Sequence, residues 1–187
     1  MNWILCPRRY FFMSRSPRFL RPLAAIALAF AALPVAAAHI ELQAGRSYMD
    51  SRAANAVFVE SVFAAHPLGD TGVRWAPDLS LGWINGRDIE RYRHARYGAS
   101  DDIWLAAGGV RLSAGGPGDW YSHFFYGFQV ALHSGRTQAL SSAYEFVNTV
   151  GWQWRHLSFQ VRHISNGKLH EPNRGETMAL VGVGFDL

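Results

Sequence analysis

The chain has 187 residues, 49% of them hydrophobic, 14% aromatic and 17% charged. That length suits one domain, and so many aromatics with so few charges exclude wholesale disorder. The formal charge of +4 hints at a nucleic-acid binder. However, five arginines (Arg8, Arg9, Arg15, Arg18 and Arg21) precede residue 39, where there is no acidic residue. Beyond that point 13 basic residues face 14 acidic ones, so nucleic-acid binding loses its electrostatic basis.

The first 38 residues have the layout of a secretory signal peptide. Arg15, Arg18 and Arg21 form a basic region, Leu23 to Leu33 an apolar run, and Pro34 a break before Val35-Ala36-Ala37-Ala38. The apolar run is about half the length of a membrane-spanning helix. Cleavage is expected after Ala38, and residues 1–12 read as an extension upstream of a start at Met13. Cys6, the single cysteine, falls in that extension, so the mature domain, 39–187, carries no disulfide.

From residue 39 the pattern alternates with period two, which is the signature of strands. Ile40, Leu42 and Ala44 alternate with Glu41, Gln43 and Gly45, and Val57 and Val59 with Phe58 and Glu60. Leu79, Leu81 and Trp83 form the next apolar face, then Trp104, Ala106, Val110 and Leu112 opposite Arg111. Residues 119–133 are a long aromatic segment. Tyr144, Phe146, Val150, Trp152 and Trp154 oppose Glu145, Thr149 and Gln153. Phe159 and Val161 follow, and finally Ala179, Val181, Val183, Phe185 and Leu187.

These eight segments predict an all-β fold, an eight-stranded antiparallel up-and-down transmembrane barrel. A soluble sandwich alternates in the same way. Three features favour the barrel. The polar face holds Gly, Ser and Ala, with Lys168 the single lysine; Trp75, Trp104, Trp120 and Trp154 lie near segment ends; and an amphipathic strand closes the chain. A bacterial outer-membrane location follows. With both ends of the mature chain periplasmic, external loops are expected near 49–54, 86–101, 134–141 and 166–175. Loop 86–101, with Arg87, Arg91, Arg93 and Arg96, is either neutralised by Asp88, Glu90, Asp101 and Asp102 or contacts lipid phosphates. Glu41, Glu60, Glu145, Arg111 and Arg162 are expected to pair inside the barrel.

The seventh segment ends in His163-Ile164-Ser165. Residues two apart share a strand face, so an imidazole and a hydroxyl become neighbours beside Phe159 and Val161, on the lipid side. The wider string runs from His163 through Ser165, Asn166, Leu169, Pro172 and Asn173 to Gly175. It resembles the signature of the lipid A 3-O-deacylase family. Phe146 followed by Gly151 adds to that likeness.

The resemblance implies a serine esterase. It would hydrolyse the 3-position acyl ester of lipid A in the outer leaflet and release a 3-hydroxy fatty acid. Ser165 would be the nucleophile and His163 the base. Asn166 and a backbone N–H near Gly167 would stabilise the oxyanion, with Phe146 beside them. The family's carboxylate falls on Thr177, so Glu176 is expected to complete the triad by way of a bulge. Glu171 is a second candidate, and a site without a carboxylate a third. No cofactor and no metal are implied. The partners are lipid A or lipopolysaccharide and the outer membrane, with a homodimer as an option. The rival expectation is a non-enzymatic barrel serving adhesion or envelope integrity.

Overall fold

The computed structural model describes residues 39–116 and 118–187. The expected signal peptide and its upstream extension lie outside the described residues. Eight long strands form the sheet: β1 His39–Met49, β2 Arg52–Val62, β3 Val73–Ile84 and β4 Ile103–Ala114. Then come β5 Phe124–His133, β6 Tyr144–Trp154, β7 Leu157–Ser165 and β8 Glu176–Asp186. Each pairs antiparallel with its chain neighbour, and β8 pairs with β1, so the sheet closes into an up-and-down barrel. Closure removes every free edge, which lets a β fold stand in lipid. A two-residue ladder at His66–Pro67 against Arg74 and Trp75 extends one end.

The alternation seen in the sequence becomes inside and outside. Leu42, Val57, Val130, Val150, Phe159, Val161, Val181 and Val183 are exposed on the exterior. Glu41, Gln43, Glu60, Gln129, Glu145 and Arg162 are buried in the lumen. Near mid-barrel Glu60 accepts from Arg111 at 2.8 Å and from Arg162 at 2.6 Å. Arg111 lies over the Phe125 ring and Arg162 over the Phe58 ring. Glycine makes room for these rings: a Cβ on Gly82 would stand 2.2 Å from Phe58, and one on Gly151 2.2 Å from Phe125.

Toward the end that carries loops 85–102, 134–143 and 166–175, the lumen turns apolar. Met49, Ile84, Ile103, Leu105, Val147, Ile164 and Met178 pack there around Leu140. Leu140 comes from loop 134–143, whose residues 137–142 are all buried, so this loop plugs the barrel mouth. Two of the expected segment boundaries change. The fifth segment splits into a 3-10 turn, Trp120–His123, and a strand that begins only at Phe124. The loop expected at 49–54 shrinks to a two-residue turn, with Asp50 and Ser51 both at positive φ, the geometry that suits a tight hairpin.

Candidate active site

β7 brings its residues to the loop end of the barrel with strict alternation. Val161 and His163 are exposed and Ser165 half-exposed, while Arg162 and Ile164 are buried. The imidazole and the hydroxyl therefore share the exterior with Phe159 and Val161. No hydrogen bond joins them among the described residues.

On one side of β7 stands β8, with Thr177 directly opposite His163. The Thr177 hydroxyl lies 2.8 Å from His163 Nδ1. With Nδ1 carrying the proton, the imidazole donates to Thr177 Oγ1 and leaves Nε2 unprotonated, on the ring edge beside Gly175.

Glu176 is not there. The β7–β8 register runs without a bulge, placing Glu176 opposite the inward Ile164. It is buried in the lumen, where Arg87 donates to it at 2.8 Å and the Ser47 hydroxyl also donates. The expectation that Glu176 orients the imidazole is thus corrected: one residue along a strand is the difference between exterior and lumen. Glu171 sits exposed in the loop and makes no hydrogen bond or ion pair with His163.

Asn166 needs a second correction. Its side chain is fully buried, one step beyond outward Ser165, and the alternation carries it inward. Its Nδ2 donates to the His170 carbonyl at 3.0 Å and toward Ser141 at 3.3 Å, and its backbone N–H donates to Asn173 Oδ1. It braces the loop and has no donor left for a substrate outside. Gly167, at φ +64°, is exposed, and its N–H has no protein acceptor among the described residues. A Cβ there would be 3.6 Å from the Phe146 ring, so Gly167 leans toward β6. Phe146 lies opposite Ser165 and stacks on Phe128, with Tyr144 edge-on.

Gly175 seats the imidazole. Its φ is +66°, and a Cβ added to it would meet His163 Cε1 at 2.9 Å. The Gly175 N–H donates to the Ala139 carbonyl of the inserted loop, and Arg174 N–H to Gln138. The plug in the lumen thereby holds the loop that touches the imidazole outside.

The rim is stitched by charge. Asp50 pairs with Arg91 and accepts from Tyr92, and Arg174 stands 3.4 Å away. Partial burial works against the Asp50 carboxylate, but Tyr92 and Arg91 outweigh it and hold its pKa below the ordinary value. Of the loop arginines, Arg87 turns inward to Glu176 and Arg93 pairs with Asp88 at 2.5 Å. Of the acids expected to neutralise this loop, Asp88 does so for Arg93, whereas Arg87 and Arg91 take carboxylates from outside the loop, Glu176 and Asp50.

The family model described as lipid A 3-O-deacylase (PagL) matches residues 69–186, more than half of the chain. The chain belongs to the lipid A 3-O-deacylase family. A crystal structure described as that of the outer membrane enzyme PagL superimposes with a TM-score of 0.58 at 15% identity. The match covers 79% of this chain and 98% of that one. At that identity the likeness establishes the fold, the closed eight-stranded barrel. No curated protein matches the chain. Two further residues escaped the sequence reading: Asn148, opposite His163, and Tyr126, whose hydroxyl donates to Asn148 Oδ1 at 2.6 Å. Their signal was available, because Asn148 shares its parity with the lipid-facing Phe146 and Val150.

Proposed function

We propose that this chain is an outer-membrane serine esterase that hydrolyses the 3-position acyl ester of lipid A in the outer leaflet. The observation that carries the reading is the pairing of His163 and Ser165 on the barrel exterior at the loop end, with Thr177 on the far nitrogen of the imidazole. A site on the outside of the barrel meets a membrane glycolipid at the level of its sugars, and the acyl chains stay among the exterior Val and Phe side chains. The first 38 residues would be the export signal that takes the chain there.

In the reaction, Ser165 Oγ attacks the ester carbonyl carbon while His163 Nε2 takes the hydroxyl proton. The carbonyl π pair moves onto oxygen, and the Gly167 N–H donates to the anion. Collapse breaks the bond to the glucosamine 3-oxygen, which leaves with the proton from His163. Water, deprotonated by the same imidazole, then splits the acyl-serine. The products are a 3-hydroxy fatty acid and lipid A with a free 3-hydroxyl. Thr177 keeps the tautomer and ring orientation, but a neutral hydroxyl gives the imidazolium no opposite charge.

Purified protein incubated with lipid A in detergent micelles tests this by mass spectrometry of the released fatty acids. Release by the wild type and none by Ser165→Ala or His163→Ala is expected. Equal release by Ser165→Ala would refute the serine mechanism. A non-enzymatic barrel is the second reading, and it draws on Thr177 standing where a carboxylate belongs. No release by the wild type in the same assay would favour it.

A further inference from the structure

We propose that Asn148 is a catalytic residue of this site, its side-chain amide donating to the oxyanion formed at Ser165. The inference rests on the serine-esterase reading above. It starts from the vacancy left by Asn166, whose Nδ2 is spent inside the barrel on His170 and Ser141. Of the two donors that the motif suggests, the Gly167 N–H is then left, and one donor is few for a charge that forms in a low-dielectric setting.

Asn148 is the exterior amide in the right place. It sits on β6 directly opposite His163, so it is diagonal to Ser165. Directly opposite side chains start about 5 Å apart at Cβ and diagonal ones about 7–8 Å apart. A carbonyl attached to Ser165 Oγ fits in that diagonal gap. The Gly167 Cα faces Phe146, which brings this stretch of backbone to the same, β6, side of the nucleophile. The base is oriented from β8 by Thr177, and the oxygen is received on β6 by Asn148 and Gly167.

The amide is also held in advance. Tyr126 Oη lies 2.6 Å from Asn148 Oδ1, and whichever way the amide is turned, at least one of its N–H bonds has no protein acceptor among the described residues. An unused donor on a lipid-facing strand position is unfavourable until a ligand completes it. The neighbours Phe128, Val150 and Val161 are exposed and apolar, so the polar groups around this amide are Tyr126 and the two residues of the site, His163 and Ser165. As the Ser165 Oγ–C bond forms and the π pair moves to oxygen, the hydrogen bond from Asn148 shortens onto a growing charge. That is a gain made in the transition state, not in the ground state.

The test is steady-state release of fatty acid from micellar lipid A by wild type, Asn148→Leu, Asn148→Asp, Tyr126→Phe and Ser165→Ala. Heat-dependent gel mobility checks that each barrel is folded. Both Asn148 variants are expected to lose about 100-fold or more in kcat with KM nearly unchanged, as for loss of an oxyanion donor. Tyr126→Phe should lose less than tenfold. Asn148→Asp is nearly isosteric and carries the test if the leucine variant does not fold. A kcat within threefold of wild type in a folded Asn148 variant, or a change confined to KM, overturns the inference. With Ser165→Ala inactive, such a result leaves the esterase reading intact. A wild type as inactive as Ser165→Ala would remove that reading and this inference together.

Discussion

A hydroxyl and a carboxylate do different things to an imidazole. Both can fix the tautomer, but only the carboxylate stabilises the imidazolium that forms when serine gives up its proton. Thr177 Oγ1, 2.8 Å from His163 Nδ1, therefore supplies orientation without charge. Thr177→Val should lower kcat by roughly tenfold, and Thr177→Glu should raise it above wild type, both followed as fatty acid release. Glu176→Gln should leave kcat within about threefold, because its carboxylate serves Arg87 and Ser47 in the lumen. A triad acid replaced by its amide would lose about 10⁴-fold instead. The period of two made the faces of His163 and Ser165 legible from sequence. The same parity points Glu176 and Asn166 inward, and it prevails over the roles that the motif suggests for them.

At the scale of the element, the end of β7 and the loop after it are held from inside the barrel. Gly175 donates to Ala139, and Asn166 reaches Ser141, both in the inserted loop 134–143. Gly175→Ala combines a positive φ with a Cβ 2.9 Å from the imidazole, so it should cut kcat by about 100-fold while the barrel still forms. Circular dichroism and activity on the same sample check this. The Asp50 knot at the rim has a pH signature. Its folded-state pKa is depressed, so its contribution is present above the ordinary carboxylate value near 3.8 and fades as pH falls through the lower, folded value. Protease cleavage of the loops should accordingly rise only in strong acid. The inserted loop was illegible in the sequence because its partners, Gly98, Arg174 and Gly175, come from other loops. The late start of β5 was hidden for another reason: Trp120 and Tyr121 continue the aromatic composition of the strand without its geometry.

For the whole molecule, strand count and the division between exterior and lumen were legible from alternation, and closure from the small residues of the polar face, the Trp residues near segment ends and the amphipathic last strand. The segregation of the lumen was not. Its charged middle, Glu60 with Arg111 and Arg162, and its apolar mouth around Leu140 arise only when eight strands are in register. Glu60→Ala would leave the buried Arg162 without its carboxylate and Arg111 with the more distant Asp78, 3.8 Å away, and breaking such a group costs about 3–5 kcal/mol. The thermal midpoint of the detergent-solubilised barrel should fall sharply, as read from the loss of the fast-migrating form on gels.

The central claim is that this barrel cuts one ester of the glycolipid around it with the hydroxyl of Ser165. Mass spectrometry of lipid A from bacterial cells producing the wild type or Ser165→Ala tests it most directly. The wild type should yield lipid A lighter by one 3-hydroxyacyl group, and Ser165→Ala should leave lipid A intact. Identical spectra from the two, with both proteins folded in the outer membrane, would contradict the account.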